Sequence, residues 1–143
     1  MVKFLFLFIV LFPSSDIKNN IRRIIIKEYP GGTILPTKKS NEVLYADLYD
    51  GRYIKAHVHD YRGKMYLQCY SSDSILLEEG NYNNSLTMLK KQVTGLASGE
   101  SENRVLIIEY YEPLRNGRWL FYDSLTGKLK DSLFYKNGIL IGK

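Results

Sequence analysis

Short runs of apolar and β-branched residues, separated by turn residues, recur along most of this chain. Residues 52–59 alternate strictly, with aromatic or polar side chains at Tyr53, Lys55, His57 and His59 and apolar ones between them. Such alternation places the two sets on opposite faces of a strand. Runs of this kind, joined by tight turns, predict an all-β fold built as an antiparallel β-meander.

The predicted strands are bounded by residues that accept turn conformations. They span residues 21–29, 42–49, 52–59, 64–70, 75–79, 104–112, 118–122 and 128–135, with a last run from 139. Asn, Asp and Gly tolerate a positive φ, so four dipeptides predict turns: Asp50-Gly51, Gly80-Asn81, Asn116-Gly117 and Asn137-Gly138. Residues 33–41, which contain a proline, are predicted to be a linker.

One segment departs from the strand pattern. In residues 85–96, Leu86, Leu89, Val93 and Leu96 fall at helical spacing. This predicts one short amphipathic helix near 85–96, or an ordered insert, within the meander.

Two segments resemble each other when their terminal tyrosines are aligned, namely residues 70–84 and 122–137. Self-similarity of this kind indicates stacked hairpin repeats. The run Gly117-Arg-Trp119-Leu-Phe-Tyr122, with Gly127-Lys-Leu129 and Tyr135-Lys-Asn-Gly138, resembles a MORN-type repeat, in the variant of bacterial YwqK-type antitoxin-like proteins. The match covers about residues 110–143, with a degenerate copy in residues 45–84. The resemblance implies an interaction or antitoxin-like role.

The N-terminus has the layout of a secretory signal peptide. Lys3 precedes the unbroken apolar run of residues 4–12, and Pro13-Ser14 follows it. The run is too short to cross a bilayer as a stable helix. We therefore expect a signal peptide in residues 1–15 and a single β-repeat domain in residues 16–143, secreted or periplasmic. A buried strand or an uncleaved membrane anchor are the alternatives.

Composition narrows the classes of partner. The net charge of +5 comes from scattered basic residues, and nucleic-acid binding requires a clustered basic face. No phosphate-binding, dinucleotide-binding or zinc-protease motif occurs. The single cysteine, Cys69, excludes an intrachain disulfide and is expected to be a buried apolar residue. Glu78 and Glu79 are adjacent, so on a strand they face opposite sides and do not form an acid–base pair.

The candidate site residues are aromatic, with two histidines as a weaker possibility. Trp119, Tyr122 and Tyr135 either pack between repeats or form an exposed platform for a partner chain or a sugar. His57 and His59 share a strand face as some metal sites require, but the sequence offers no third ligand.

These observations predict an exported, non-catalytic β-repeat protein that acts as an interaction or scaffold module at the bacterial cell envelope. It would have an unidentified protein partner, no cofactor, no nucleic-acid ligand, and membrane contact only through the signal segment. The alternative is a carbohydrate or small-ligand binder that uses exposed tyrosine and tryptophan.

Overall fold

Eleven short strands make up the part of the chain that the computed structural model describes, which is residues 22–29, 33–37, 41–96 and 103–143. In chain order they are β1 Arg22–Ile26, β2 Thr33–Thr37, β3 Glu42–Asp47, β4 Tyr53–Val58, β5 Met65–Tyr70, β6 Leu76–Asn83, β7 Met88–Leu96, β8 Asn103–Tyr111, β9 Leu114–Tyr122, β10 Leu129–Lys136 and β11 Ile139–Gly142. The described residues contain no helix. The prediction of an all-β fold is confirmed.

The larger of two sheets is the predicted antiparallel meander. It has seven strands in the order β11-β10-β9-β6-β5-β4-β3. Strands β3 to β6 pair with their neighbours in sequence, the chain then leaves through β7 and β8, and β9 returns to pair with β6. Strands β7 and β8 belong to a four-stranded sheet of order β2-β1-β8-β7, in which β1 and β8 run parallel.

The hydrophobic core lies between the two sheets. Strands β4 and β5 bury every second residue, which confirms the alternation predicted for residues 52–59. The buried side chains of these two strands are Ile54, Ala56, Val58, Met65, Leu67 and Cys69. Ile24 and Ile26 of β1 belong to the same core cluster. Because apolar burial is the main driving force of folding, this core fixes which face of the large sheet remains at the surface.

The helix predicted near residues 85–96 is wrong, because this segment forms β7. It pairs with β8 along its whole length, from Met88 opposite Tyr111 to Leu96 opposite Asn103. Leu89 and Val93 are four positions apart, a spacing that places two residues on one face of a strand as well as of a helix. The hydrogen-bonded pairing with β8 therefore decides that this segment is a strand and not a helix.

The predicted linker of residues 33–41 is also partly wrong, because Thr33–Thr37 forms β2. This strand is an edge strand of the four-stranded sheet, and its Pro36 is opposite Arg23 of β1. Proline is tolerated in an edge strand because its nitrogen, which carries no hydrogen, can face away from the neighbouring strand.

Two of the four predicted turns are confirmed. Gly51 has a φ of +86° in the turn between β3 and β4, where the N–H of Gly51 donates to the carbonyl of Leu48 at 3.2 Å. Asn137 and Gly138 both have positive φ, +46° and +82°, between β10 and β11. Two consecutive positive φ values are the mark of a type I′ hairpin turn.

The other two predicted turns, Gly80-Asn81 and Asn116-Gly117, are wrong because both lie inside strands. Asn81 of β6 is opposite Asn116 of β9, and the register between these strands shifts at this point. Gly117 takes its φ of +76° there, at a β-bulge. Gly80 lies directly beneath the Trp119 indole, since a Cβ added to it would be 2.3 Å from Trp119 Cδ2.

The predicted signal peptide of residues 1–15 lies outside the described residues. Within the described part, no helix has the length and apolar character needed to cross a membrane.

Candidate binding surface

The outer face of the seven-stranded sheet, opposite the core, carries a concentration of tyrosines. The alternation that buries one set of residues on β4 and β5 turns the other set outward. We define the tyrosine face by its five tyrosines and the polar residues among them: Tyr45, Tyr53, Tyr66, Tyr70 and Tyr122, with Lys55, His57, Gln68 and Glu79. All nine side chains keep part of their surface exposed, and Tyr45 is 66% exposed.

Contacts between neighbouring strands hold the rings of this face in place. Tyr53 and Tyr70, which are cross-strand partners, stack with centroids 5.1 Å apart and planes 12° apart. His57 is tilted against Tyr66 at a centroid distance of 6.5 Å. Cross-strand aromatic pairs of this kind contribute about 0.2–1 kcal/mol each to sheet stability. These contacts set the relative orientation of Tyr53, Tyr66 and Tyr70 on this face.

Glu79 of β6 is the polar centre of the tyrosine face. Its carboxylate accepts a hydrogen bond from the Tyr122 hydroxyl at 2.9 Å and another from the Gln68 amide at 3.1 Å. The Tyr66 hydroxyl lies near the same carboxylate, which adds to the effect of burial in raising the pKa of Tyr66. Burial alone would raise the pKa of Glu79, but these hydrogen bonds together hold the pKa below its ordinary value. Glu79 is therefore a carboxylate at neutral pH.

No described cation compensates this charge. Glu79 forms no ion pair with any described residue. Lys55, a basic residue of the same face, has its Nζ 6.0 Å from the centroid of the Tyr45 ring. The tyrosine face thus carries a fixed negative charge whose partners are neutral donors.

The three aromatic residues predicted as candidates occupy different environments. Tyr122 lies on the tyrosine face and bonds to Glu79. Trp119 is 0% exposed and packs edge-on against Tyr82, so its indole cannot stack on a partner or a sugar at the surface. Tyr135 is half-buried on the core side of β10. The packing interpretation therefore describes Trp119 and Tyr135, while Tyr122 alone reaches the candidate surface.

The core side of the same strands holds a buried ionic cluster. Arg115 is 9% exposed, and its guanidinium carbon lies 4.0 Å from the centroid of the Trp119 ring and 5.6 Å from that of Tyr135. Its Nη2 is 3.5 Å from Glu78 Oε1, which also accepts a 2.6 Å hydrogen bond from the Tyr29 hydroxyl. Burial raises the pKa of Tyr29 strongly, so the phenol stays a donor. This cluster ties β6 and β9 to the segment that follows β1.

The remaining titratable candidates do not assemble into a reactive group. His57 lies on the tyrosine face, and His59 is exposed in the turn after β4. The described residues include no group of three or more histidine, cysteine or acidic side chains placed to hold a metal ion. Cys69 is fully buried, as predicted, and burial raises the pKa of its thiol to about 11.

Sequence reasoning missed Tyr66, Gln68 and Glu79 as members of one surface. The alternation recognised in residues 52–59 continues in residues 65–70, so extending it would have found the first two. The link from Glu79 to Tyr122 depends on the pairing of β6 with β9, which are separated by β7 and β8. No local signal specifies that pairing.

Comparisons with protein-family models, with curated proteins and with solved structures find no match to this chain.

Proposed function

We propose that this chain is an exported, non-catalytic interaction module that binds a protein partner at the cell envelope through the tyrosine face. The observation that carries the proposal is the set of five outward tyrosines on one sheet, four of which are held by ring contacts or a hydrogen bond to a neighbouring strand. Tyrosine is among the residues that contribute most to protein–protein binding energy, since it offers a large contact area with few rotatable bonds. Rings that are already ordered lose little further entropy on binding.

The predicted signal peptide and the resemblance to MORN-type repeats support the same proposal from the sequence. Export would place the tyrosine face in the periplasm or outside the cell. Mass spectrometry of the mature N-terminus, together with cell fractionation, tests this part. An intact N-terminus in the cytoplasmic fraction would contradict it.

Site-specific photocrosslinking in cells tests the binding surface itself. The photoreactive residue p-benzoylphenylalanine replaces either Tyr45, which is 66% exposed on the tyrosine face, or Leu125, which is 88% exposed in the β9–β10 turn. We expect a discrete adduct from position 45 and none from position 125. Equal crosslinking from both positions, or adducts from neither, would refute the proposed surface.

Alanine substitution then measures the energetic contribution. Tyr45→Ala combined with Tyr70→Ala should weaken capture of the crosslinked partner by about tenfold or more, because two exposed tyrosines of an interface lose their contacts. Leu125→Ala is the matched control, an exposed side chain removed outside the face. Unchanged capture by the double variant would count against the proposal.

A second candidate function, carbohydrate binding, is favoured by one observation. The stacked pair Tyr53 and Tyr70 lies on the same face as a carboxylate, Glu79, that can accept hydroxyl groups. Aromatic rings beside hydrogen-bonding side chains suit a sugar ring, which has apolar C–H surfaces and hydroxyl edges. A glycan array tests this function, and we expect saturable binding that the Tyr70→Ala substitution abolishes. The absence of binding to every glycan on the array would exclude carbohydrate binding.

A further inference from the structure

Strand β11 differs from the other strands that lie at the sheet edges. In the described part of the chain the edges are β2 and β7 of the small sheet and β3 and β11 of the large one. Edge strands are commonly kept from pairing with other chains by charged residues or proline. Three of the edges carry such residues: Pro36 in β2, Lys90 and Lys91 in β7, and Glu42 and Asp47 in β3. Strand β11 contains neither a charge nor a proline.

The apolar side chains of β11 are exposed on both faces of the sheet. Ile139 is 70% exposed, Leu140 53% and Ile141 63%. The two isoleucines, two positions apart, share one face, and Leu140 lies on the other. Leu140 is opposite Tyr135, which packs on the core side, so the isoleucines lie on the same side as the tyrosine face. An unprotected apolar edge of this kind is suited to pairing with another strand.

The sequence of this edge reads the same in both directions and therefore matches itself. Residues 138–142 are Gly-Ile-Leu-Ile-Gly. An antiparallel pairing of two copies centred on Leu140 places that residue opposite its own copy and Ile139 opposite Ile141 of the second chain. An interface between two copies related by a two-fold axis has to be self-complementary. The segment meets this condition, which favours a second copy over an unrelated strand.

The backbone direction and the charges favour the same arrangement. Ile139 pairs with Lys136 at the hairpin turn, and backbone groups point alternately to the two sides of a strand, so those of Leu140 point to the free edge. In the antiparallel pairing Lys143 is opposite the uncharged Asn137 of the second copy. Parallel stacking in register would instead align Lys143 with its own copy, and like charges directly opposite each other are destabilising.

We propose that this chain forms a two-fold dimer in which β11 pairs antiparallel with β11 of a second copy. The pairing joins the two seven-stranded sheets into one continuous sheet. Both tyrosine faces then lie on one side of it, because directly opposite residues share a face. The contact involves only a short strand from each copy, so it belongs with the small, weak interfaces, and we expect a Kd on the order of 100 µM.

Sedimentation equilibrium of the full chain between about 5 and 500 µM tests the association. We expect a reversible monomer–dimer equilibrium. Leu140→Lys places two lysines opposite each other at the two-fold axis and should weaken association by more than about tenfold. Leu125→Lys is the matched control, since it introduces the same charge at an 88% exposed leucine in the β9–β10 turn and should leave association unchanged. Circular dichroism checks that both variants fold.

Cysteine crosslinking tests the register of the pairing. Directly opposite residues of an antiparallel pair have Cα atoms about 4.5–5.5 Å apart, within the range of a disulfide. Mild oxidation should therefore link Leu140→Cys chains into dimers. Lys143→Cys is the control and should stay unlinked, because residue 143 is opposite residue 137 of the second copy. The native Cys69 is fully buried and does not take part.

A chain that stays monomeric at every concentration, or forms assemblies larger than dimers, would overturn the inference. So would association that Leu140→Lys leaves unchanged, or Leu140→Cys chains that do not link. Linkage of both cysteine variants would show parallel stacking and would also overturn it. If Leu140→Lys fails to fold, the two cysteine variants decide the question. Photocrosslinking from position 45 tests the proposed function separately, since the dimer does not require a partner on the tyrosine face.

Discussion

The contact between Gly80 and Trp119 allows a quantitative test of the packing. A Cβ on Gly80 would be 2.3 Å from Trp119 Cδ2 and 2.4 Å from Cε2, far inside ordinary contact distance. Trp119 cannot move away easily, because it is fully buried, packs against Tyr82 and donates a 3.0 Å hydrogen bond from Nε1 to the Asn81 carbonyl. We therefore expect Gly80→Ala to be strongly destabilising.

The magnitude follows from two opposing effects. Replacing glycine by alanine at a compatible position stabilises a protein by about 0.4–1 kcal/mol through the unfolded chain. Forcing an extra carbon into a packed core costs about 1–3 kcal/mol, and occasionally more. With overlap this severe the cost should lie at the upper end of that range, so the net loss in free energy of unfolding should be about 2 kcal/mol. Gly142→Ala is the control, because nothing lies within 4 Å of its added Cβ.

A double-mutant cycle identifies the cause. Trp119→Ala removes the three ring atoms that the new methyl group would meet, Cγ, Cδ2 and Cε2, so Gly80→Ala should cost little in that background. The coupling energy between the two sites should lie within about 0.5–3 kcal/mol. Chemical denaturation followed by far-UV circular dichroism measures all four proteins. A Gly80→Ala chain within about 0.5 kcal/mol of the original, or strict additivity in the cycle, would refute this packing.

Three further predictions concern the charged and titratable groups. Glu78→Gln should lower the free energy of unfolding by about 3 kcal/mol, measured by denaturation, because it leaves the buried Arg115 guanidinium without its carboxylate. Since the pKa of Glu79 is lowered in the folded chain, its contribution to stability is present above about pH 4.3 and is lost as the pH falls through the folded value. Glu79→Gln should flatten that acid limb in denaturation curves, and an unchanged limb would contradict the hydrogen-bonded carboxylate. Because burial raises the pKa of Cys69 to about 11, its thiol should resist a thiol reagent at pH 8 in the folded chain and react on unfolding, and fast labelling of the folded chain would show that it is accessible.

The sequence predicts the local elements well where a single factor specifies them. The alternation in residues 52–59 defines both faces of β4, and Asn137-Gly138 requires a hairpin turn because both residues accept positive φ. The same dipeptide logic fails at Asn116-Gly117. There the positive φ of Gly117 serves a bulge opposite β6, and only the pairing of two distant strands distinguishes a bulge from a turn.

The sequence predicts that an aromatic surface exists, but it does not predict which aromatic residues form it. An aromatic platform is implied by twelve tyrosines in alternating strands. Which aromatics reach the surface depends on which face of each strand meets the second sheet. Trp119 is conspicuous in the sequence, yet it fills the space above Gly80, whereas Tyr66 is unremarkable there and lies beside Glu79.

Glu78 and Glu79 show how one strand places a buried charge and a surface charge side by side in the sequence. As the sequence predicts, the two neighbours face opposite sides of β6. Glu78 turns toward the core, where a charge is tolerated because Arg115 and Tyr29 compensate it. Glu79 turns outward, where neutral donors orient the carboxylate and leave its charge in place. Glu79 therefore contributes to stability through hydrogen bonds from neutral donors at the surface, whereas Glu78 contributes through a buried ion pair, and the larger loss of stability is expected for Glu78→Gln.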